Sequence, residues 1–344
     1  MVQRICAAGA LLCAAAVAGP IIVTGTAGGV APQVNVFDKA TLSQVAFFLA
    51  YDPAFQGGVR VAVGDVNNDG FDDIVTGAGP GGTPHVKVFS GDSMSGSPPV
   101  MQSFFAFDPG FSGGVYVAAG DVNGDDVFDI IVGAGAGGVP QVRVFDGANL
   151  GILYDFAAYD PGFTGGVFVG AGDINGDGID DIITGAGAGG GPHVKVFDGV
   201  TGGEIHSFFA FEPIFAGGVS VASADWNSDG RADIVTGTAS QSGNVRVFSG
   251  VDGSLLDSFF ALPSFTGGIF VAGGSILTSP ATGAGPVNIF PGPGLPVAMS
   301  FFPYGPTYGE GAFIAASQPD PVPEPGAWFL LSAALGAFAI KRRC

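Results

Sequence analysis

The sequence predicts an all-β propeller of six four-stranded blades, or seven if a degenerate stretch hides one more. Three observations point there. A unit of about fifty residues recurs, marked by Phe55, Phe111, Phe163, Phe215 and Phe265 at spacings of 56, 52, 52 and 50, with Tyr308 marking a shortened sixth. Each unit holds four short runs rich in valine, isoleucine and phenylalanine, the residues that suit pleated, buried strands. The chain also begins and ends partway through a unit, as a ring closed by its two ends requires.

The elements follow in order. Residues 1–18 read as a signal peptide: Arg4 gives the charged start, Ile5–Ala15 the apolar run, and Ala16-Val17-Ala18 a small-residue cleavage site. The propeller is expected over 19–317. Ile21–Thr26 and Gln33–Phe37 match the second and third strands of later units, with no acidic loop before them. One full unit shows the parts: a first strand at Gly166–Ala171, a second at Asp181–Gly185, a third at His193–Phe197 and a fourth at Ser207–Phe211. Between them lie an acidic loop and glycine-rich turns suited to positive φ. Ser300–Tyr304 and Gly311–Ala316 match the fourth strand of one unit and the first of the next, so the last strand is expected to complete the blade that the first residues begin. Residues 318–325 hold four prolines, an extended linker. Within 326–344, Ala327–Ile340 is an apolar run expected to form a short helix, too short for an ordinary spanning segment of about 20 residues, and Lys341-Arg342-Arg343 follows at once.

Composition narrows the function. Of 344 residues, 61 are glycine, recurring by unit rather than every third residue, which excludes collagen. Residues 19–317 carry 28 acids against 7 cations, a formal charge of −21, so nucleic acid and anionic membrane surfaces are excluded as partners. Cys6, Cys13 and Cys344 all lie in the terminal segments, so disulfides do not staple the repeats.

Fifteen of those acids sit in four nine-residue loops. The donors run Asp65, Asn67, Asp69, Phe71 and Asp73 in the first loop, and Asp121, Asn123, Asp125, Val127 and Asp129 in the second. Asp173, Asn175, Asp177, Ile179 and Asp181 make the third, and Asp225, Asn227, Asp229, Arg231 and Asp233 the fourth. Side-chain oxygens at positions one, three, five and nine, with a backbone carbonyl at seven, follow the first half of an EF-hand loop and predict Ca2+. Neither histidine nor cysteine enters the pattern, which argues against zinc and copper. Asp126 stands where the other loops have glycine at position six, so the second site is expected to be weakest. Ser275–Ser279 of the fifth unit should bind nothing.

The Asp-x-Asn-x-Asp-Gly-x-x-Asp loop, followed by an apolar strand and Gly-Ala-Gly, resembles the FG-GAP (VCBS-like) repeats of integrin α-subunit propellers and their bacterial relatives. The resemblance implies a propeller with calcium between the first two strands of a blade, and protein or sugar ligands. Val322-Pro-Glu-Pro325, the apolar run and Lys341–Arg343 together resemble a PEP-CTERM sorting signal. That implies a Gram-negative type of envelope, transient inner-membrane anchoring, processing by an exosortase, and delivery to the cell surface or matrix.

Other features are expected to be structural. Gly77-x-Gly79-x-x-Gly82, Gly133-x-Gly135-x-x-Gly138 and Gly185-x-Gly187-x-x-Gly190 match a dinucleotide fingerprint as strings, but each leads into a strand rather than a helix. His85 and His193 occupy the repeat position of Gln33, Gln141 and Asn244, while His206 reads as solvent-facing. Lys87, Arg143, Lys195 and Arg246 should pair with repeat acids such as Asp198, or else present a basic stripe to an acidic polysaccharide. The pairs Phe104-Phe105, Phe208-Phe209 and Phe259-Phe260 read as core or between-blade packing. The expected function is an exported, calcium-binding surface or matrix protein for a protein or polysaccharide ligand, not an enzyme. The alternative is a secreted polysaccharide lyase or hydrolase, for which the departures from the repeat are Trp226, Arg231, Tyr304, Tyr308 and Glu310.

Overall fold

Apolar residues at alternate positions make each unit fold as a sheet. In the third strands Val142 and Val144 are buried while Arg143 between them is half-buried. Second strands such as Asp181–Ala186 are buried on both faces, whereas Glu204–Phe209 alternates between exposed and half-buried. Burial therefore falls from axis to rim. A computed structural model describes residues 19–94 and 97–318. The expected signal peptide, nearly all of the proline-rich linker, the sorting segment with its helix, and the three cysteines lie outside the described residues.

Among the described residues there are six antiparallel sheets of four strands, so the ring has six blades rather than seven. From axis to rim, blade one holds Ala312–Ala316, Ile21–Thr26, Gln33–Asp38 and Gln44–Leu49. Blade two holds Val59–Gly64, Asp73–Ala78, His85–Phe89 and Val100–Phe105. Blade three holds Val115–Gly120, Asp129–Ala134, Gln141–Phe145 and Ile152–Ala157. Blade four holds Val167–Gly172, Asp181–Ala186, His193–Phe197 and Glu204–Phe209. Blade five holds Val219–Ala224, Asp233–Thr238, Asn244–Phe248 and Leu255–Phe260. Blade six holds Ile269–Ala272, Ile276–Pro280, Val287–Phe290 and Met299–Phe301. Each innermost strand packs on the next around the ring, and blade six returns to blade one.

The closure expected from the sequence is present. Ala312–Ala316 pairs with Ile21–Thr26, placing Ile22 opposite Ala316 and Thr24 opposite Ile314. Ser317 finishes the seam: its Oγ accepts from the Ile21 amide at 2.7 Å, and its own amide donates to the Ile21 carbonyl at 2.9 Å. Two repeat glycines show why the blades fit. A Cβ at Gly133 or Gly185 would collide with the carbonyl oxygen of Val167 or Val219 on the next blade's inner strand.

The fourth strand begins earlier than expected, at Glu204 rather than Ser207, and ends at Phe209. Ala210 and Phe211 leave the sheet because Phe211 is buried between blades, edge-on to Phe215 at 5.7 Å. The phenylalanine pairs also divide, since adjacent strand residues face opposite sides. Phe104, Phe208 and Phe259 pack across the blade boundary against Phe145, Phe248 and Phe290 as tilted ring pairs, with centroids 4.7, 4.6 and 4.7 Å apart. Phe105, Phe209 and Phe260 point outward instead and are 48, 52 and 60% exposed.

The polar contacts between blades correct two further expectations. His206 is half-buried, with Nε2 at 2.7 Å from the Gly250 carbonyl of the next blade. Gln102 and Tyr154 bridge to Gly147 and Gly199 in the same way. The third-strand cations reach back to the preceding blade. Lys87, Arg143 and Arg246 donate to the carbonyls of Ala50, Ala106 and Ala210 at 2.9, 2.6 and 3.0 Å. Their acidic partners are Asp155 for Arg143 and Glu204 for Lys195. Asp198 instead holds its own turn through the Thr201 amide and hydroxyl.

Candidate functional site

All four acidic loops join the innermost strand of a blade to the second, so they crowd one end of the ring in blades two to five. Loop n+1 is tied to loop n through the backbone: the amides of Phe128, Asp180 and Ala232 donate to the carbonyls of Asp65, Asp121 and Asp173 at 3.0, 2.8 and 2.9 Å. The seventh residue, expected to matter only through its carbonyl, also packs between loops. Ile179 lies against Gly124 and Arg231 against Gly176. In blade six the inner and second strands are joined by only Gly273–Ser275, with no acidic loop.

Each loop is organised by its own acids. The Asp173 carboxylate accepts from the amides of Gly176, Asp177 and Gly178 at 2.6, 3.0 and 2.9 Å. Asp65, Asp121 and Asp225 make the corresponding bonds to Gly70, Asp126 and Gly230. The fifth aspartates, Asp69, Asp125, Asp177 and Asp229, accept from the amides of residues seven, Phe71, Val127, Ile179 and Arg231. Donor oxygens at positions one and three meet on one hydrogen: Asp65 Oδ1 and Asn67 Oδ1 lie 3.1 and 2.9 Å from the Asp69 amide. Asp173 with Asn175, and Asp225 with Asn227, do the same at Asp177 and Asp229.

The ninth aspartates have a second task that the spacing did not reveal. Asp73, Asp129, Asp181 and Asp233 are fully buried. One oxygen of each accepts from the amide of loop residue two (Val66, Val122, Ile174, Trp226) and the other from the glycine amide after the third strand (Gly91, Gly147, Gly199, Gly250). They are struts joining three parts of a blade; Asp73 keeps a second lone pair on each oxygen, whereas Asp129 also accepts from the Asn123 side chain, Asp233 from the Asn227 amide, and Asp181 from both the amide and the side chain of Asn175. Burial lifts the carboxyl pKa of Asp73 and Asp129 to about 7, that of Asp181 to about 6, and that of Asp233 upward, against the pull of these amides. Asp180, at position eight between loops two and three, rises to about 7 through burial, and its carboxylate accepts from the Asp121 amide at 3.1 Å.

The donor set suits a hard cation, being all oxygen, with the oxygens of positions one and three converging on the amide of position five in the first, third and fourth loops. Among the described residues no three carboxylate, histidine or cysteine side chains gather as a ready metal cluster. The reasons are local: asparagine supplies the third donor, and the ninth carboxylate is committed to amides.

Backbone strain differs from the expectation. Position six is left-handed in every loop, and Asp126 adopts it at φ 65°. Position four is left-handed too, held by Asn68, Gly124, Gly176 and Ser228. Only the third loop has glycine at both places. Asparagine and aspartate tolerate this region better than serine, so strain singles out the fourth loop rather than the second.

The departures from the repeat do not meet in one cleft. Trp226 is buried and its Nε1 donates to Asp257 at 3.2 Å. Tyr304 packs on Tyr308 at 4.8 Å and donates to the Gln33 carbonyl at 3.1 Å, sealing blade six to blade one. His85 and His193 lie beside Ser103 and Ser207, as repeat positions should. Among the described residues no helix is long and apolar enough to cross a membrane.

A residue the spacing did not single out lies at the other end of the axis. The second position of the six innermost strands is Arg60, Tyr116, Phe168, Ser220, Phe270 and Phe313 in ring order. Arg60 is thus a cation where four of the other five blades place aromatic rings and one a serine, and aligning the units would have exposed it.

Residues 57–94 and 165–205 each match the FG-GAP repeat. The second match runs from before the inner strand of blade four, through the Asp173 loop, to the start of its fourth strand. Among solved structures the chain is similar to the Dos1 propeller, at 12% identity and a TM-score of 0.45, over 78% of this chain and 65% of that one. It therefore spans just under two thirds of that propeller's length.

Proposed function

We propose that the protein is an exported propeller that binds calcium in four loops and serves as a surface or matrix binding protein. One observation carries the calcium reading: the same oxygen order recurs at the same place in four consecutive blades, in loops tied to one another by backbone hydrogen bonds. Positions one, three and five with the carbonyl of position seven would hold the ion, and the ninth carboxylate would complete the set from below, in the third loop by giving up one of the amide contacts that fill both of its oxygens. Bound calcium supplies charge compensation for 15 acids packed at one end of the ring. The protein would then present a rigid disc to a protein or polysaccharide ligand. Export and transient anchoring rest on the leader at 1–18 and the sorting signature at 322–343.

Calorimetric titration of chelated protein with calcium tests the first part; about four sites are expected, and no heat of binding would remove calcium from the reading. A glycan-array screen with and without calcium tests the second. Mass spectrometry of protein recovered outside the cell should find no residues beyond the Pro-Glu-Pro region, and an intact Cys344 there would refute the sorting proposal.

A further inference from the structure

Arg60 is the one cation on an innermost strand, and its situation is unlike that of the other six between residues 19 and 317. It is only 8% exposed. Its guanidinium carbon lies 5.0 Å from the ring centre of Tyr116 and 4.7 Å from that of Phe313, the neighbours on either side. Phe168 and Phe270 continue the wall, with Tyr116–Phe168 and Phe270–Phe313 each 4.2 Å apart. Across the channel stands Ser220, whose hydroxyl is turned to the Gly237 and Ile269 carbonyls and whose small size opens the ring opposite the cation. The cavity so formed is about 60 Å³.

The guanidinium makes one protein hydrogen bond, from Nη1 to the Gly57 carbonyl at 3.2 Å, and its buried Nε has no partner. Among the described residues no carboxylate forms an ion pair with it. Aromatic faces offset part of a cation's desolvation but accept none of its N–H donors in the guanidinium plane. A planar two-oxygen anion would satisfy that plane. A single water needs about 10–15 Å³ of such space, so the mouth has room for several waters or one small carboxylate. The protein's own charge of −21 over 19–317 sets a field that disfavours dianions and polyanions.

We infer that the channel mouth around Arg60 is a binding site for a small monocarboxylate, with Arg60 as the anion receptor and the aromatic ring as its wall. The inference is independent of calcium, because Arg60 sits near the start of its strand and the Asp65 loop follows the far end. The test titrates sodium acetate into isotopically labelled protein at constant ionic strength and follows the Arg60 Nε–H resonance. A saturable shift that sodium chloride does not reproduce is expected, with Arg60→Gln binding acetate at least tenfold more weakly by calorimetry. No shift, an equal shift with chloride, or full-strength binding by a folded Arg60→Gln overturns it. Glucuronate binding without acetate binding also overturns it, since the size argument would then be wrong. Should Arg60→Gln not fold, the wild-type titration decides alone.

Discussion

Replacing Asp177 by alanine separates calcium's contribution from that of the fold. Asp177 is exposed, and the one backbone bond its carboxylate accepts is from Ile179 of its own loop, at 3.0 Å. Its loss in calcium-free buffer should therefore cost no more than about 0.5 kcal/mol, the range of a surface substitution. With calcium at a hundred times its dissociation constant, each occupied site adds about 2.7 kcal/mol to the folded state. Disabling the third loop removes that increment, and a domain of about 300 residues shifts its Tm by roughly 1.6 °C per kcal/mol, so the variant should melt about 4 °C below wild type in calcium. Differential scanning calorimetry of both proteins, with calcium and after chelation, reads the four melting temperatures. Equal deficits in the two buffers would refute the reasoning, because Asp177 would then be acting through the fold; so would a wild type that calcium does not stabilise.

Three further outcomes are expected. In calcium-free protein the folded-state carboxyls of Asp73, Asp129, Asp180, Asp181 and Asp233 titrate above the unfolded value. The folded state therefore holds their protons more tightly, and stability should fall as pH rises from about 4 to 7. The depressed pKa values of His85 and His193 oppose this only weakly near pH 6; urea denaturation at pH 5 and 7.5 in resin-treated buffer checks it, and greater stability at pH 7.5 would reverse the sign. Phe208→Ala should cost about 2–4 kcal/mol by opening the Phe248 contact, and Phe209→Ala less than about 1, as its ring is half outside; equal costs by urea denaturation would contradict the division of the pairs. Ser228→Gly should raise stability by up to about 1 kcal/mol by relieving φ 61°, and a loss by the same measurement would show that the strain is not real.

The parts of the fold that repeat were legible in the sequence. Equivalent phenylalanines gave the period, and the match of Gly311–Ala316 to a first strand gave the seam. Contacts made by a different residue type in each unit were hidden: Gln102, Tyr154 and His206 share one bridging role that no pattern announces. Spacing marked the ninth aspartates as ligands but could not reveal their burial, which depends on the glycine after the third strand arriving beneath the loop. Position four of the loops was readable in principle, as Asn68, Gly124, Gly176 and Ser228 are residues that favour or tolerate positive φ in three cases out of four. The outward phenylalanines followed from strand alternation once the strand's true start at Glu204 was known.

The seam in blade one also fixes the order of events during synthesis. The strand that lines the axis there, Ala312–Ala316, is the last piece of the ring to leave the ribosome, while its partner Ile21–Thr26 is the first. Five blades can assemble from neighbours in sequence, but the disc stays an open arc, with one edge of unpaired amides, until almost all of the propeller has been made. A chain halted anywhere before Ala312 would keep that edge exposed however well its other blades had formed.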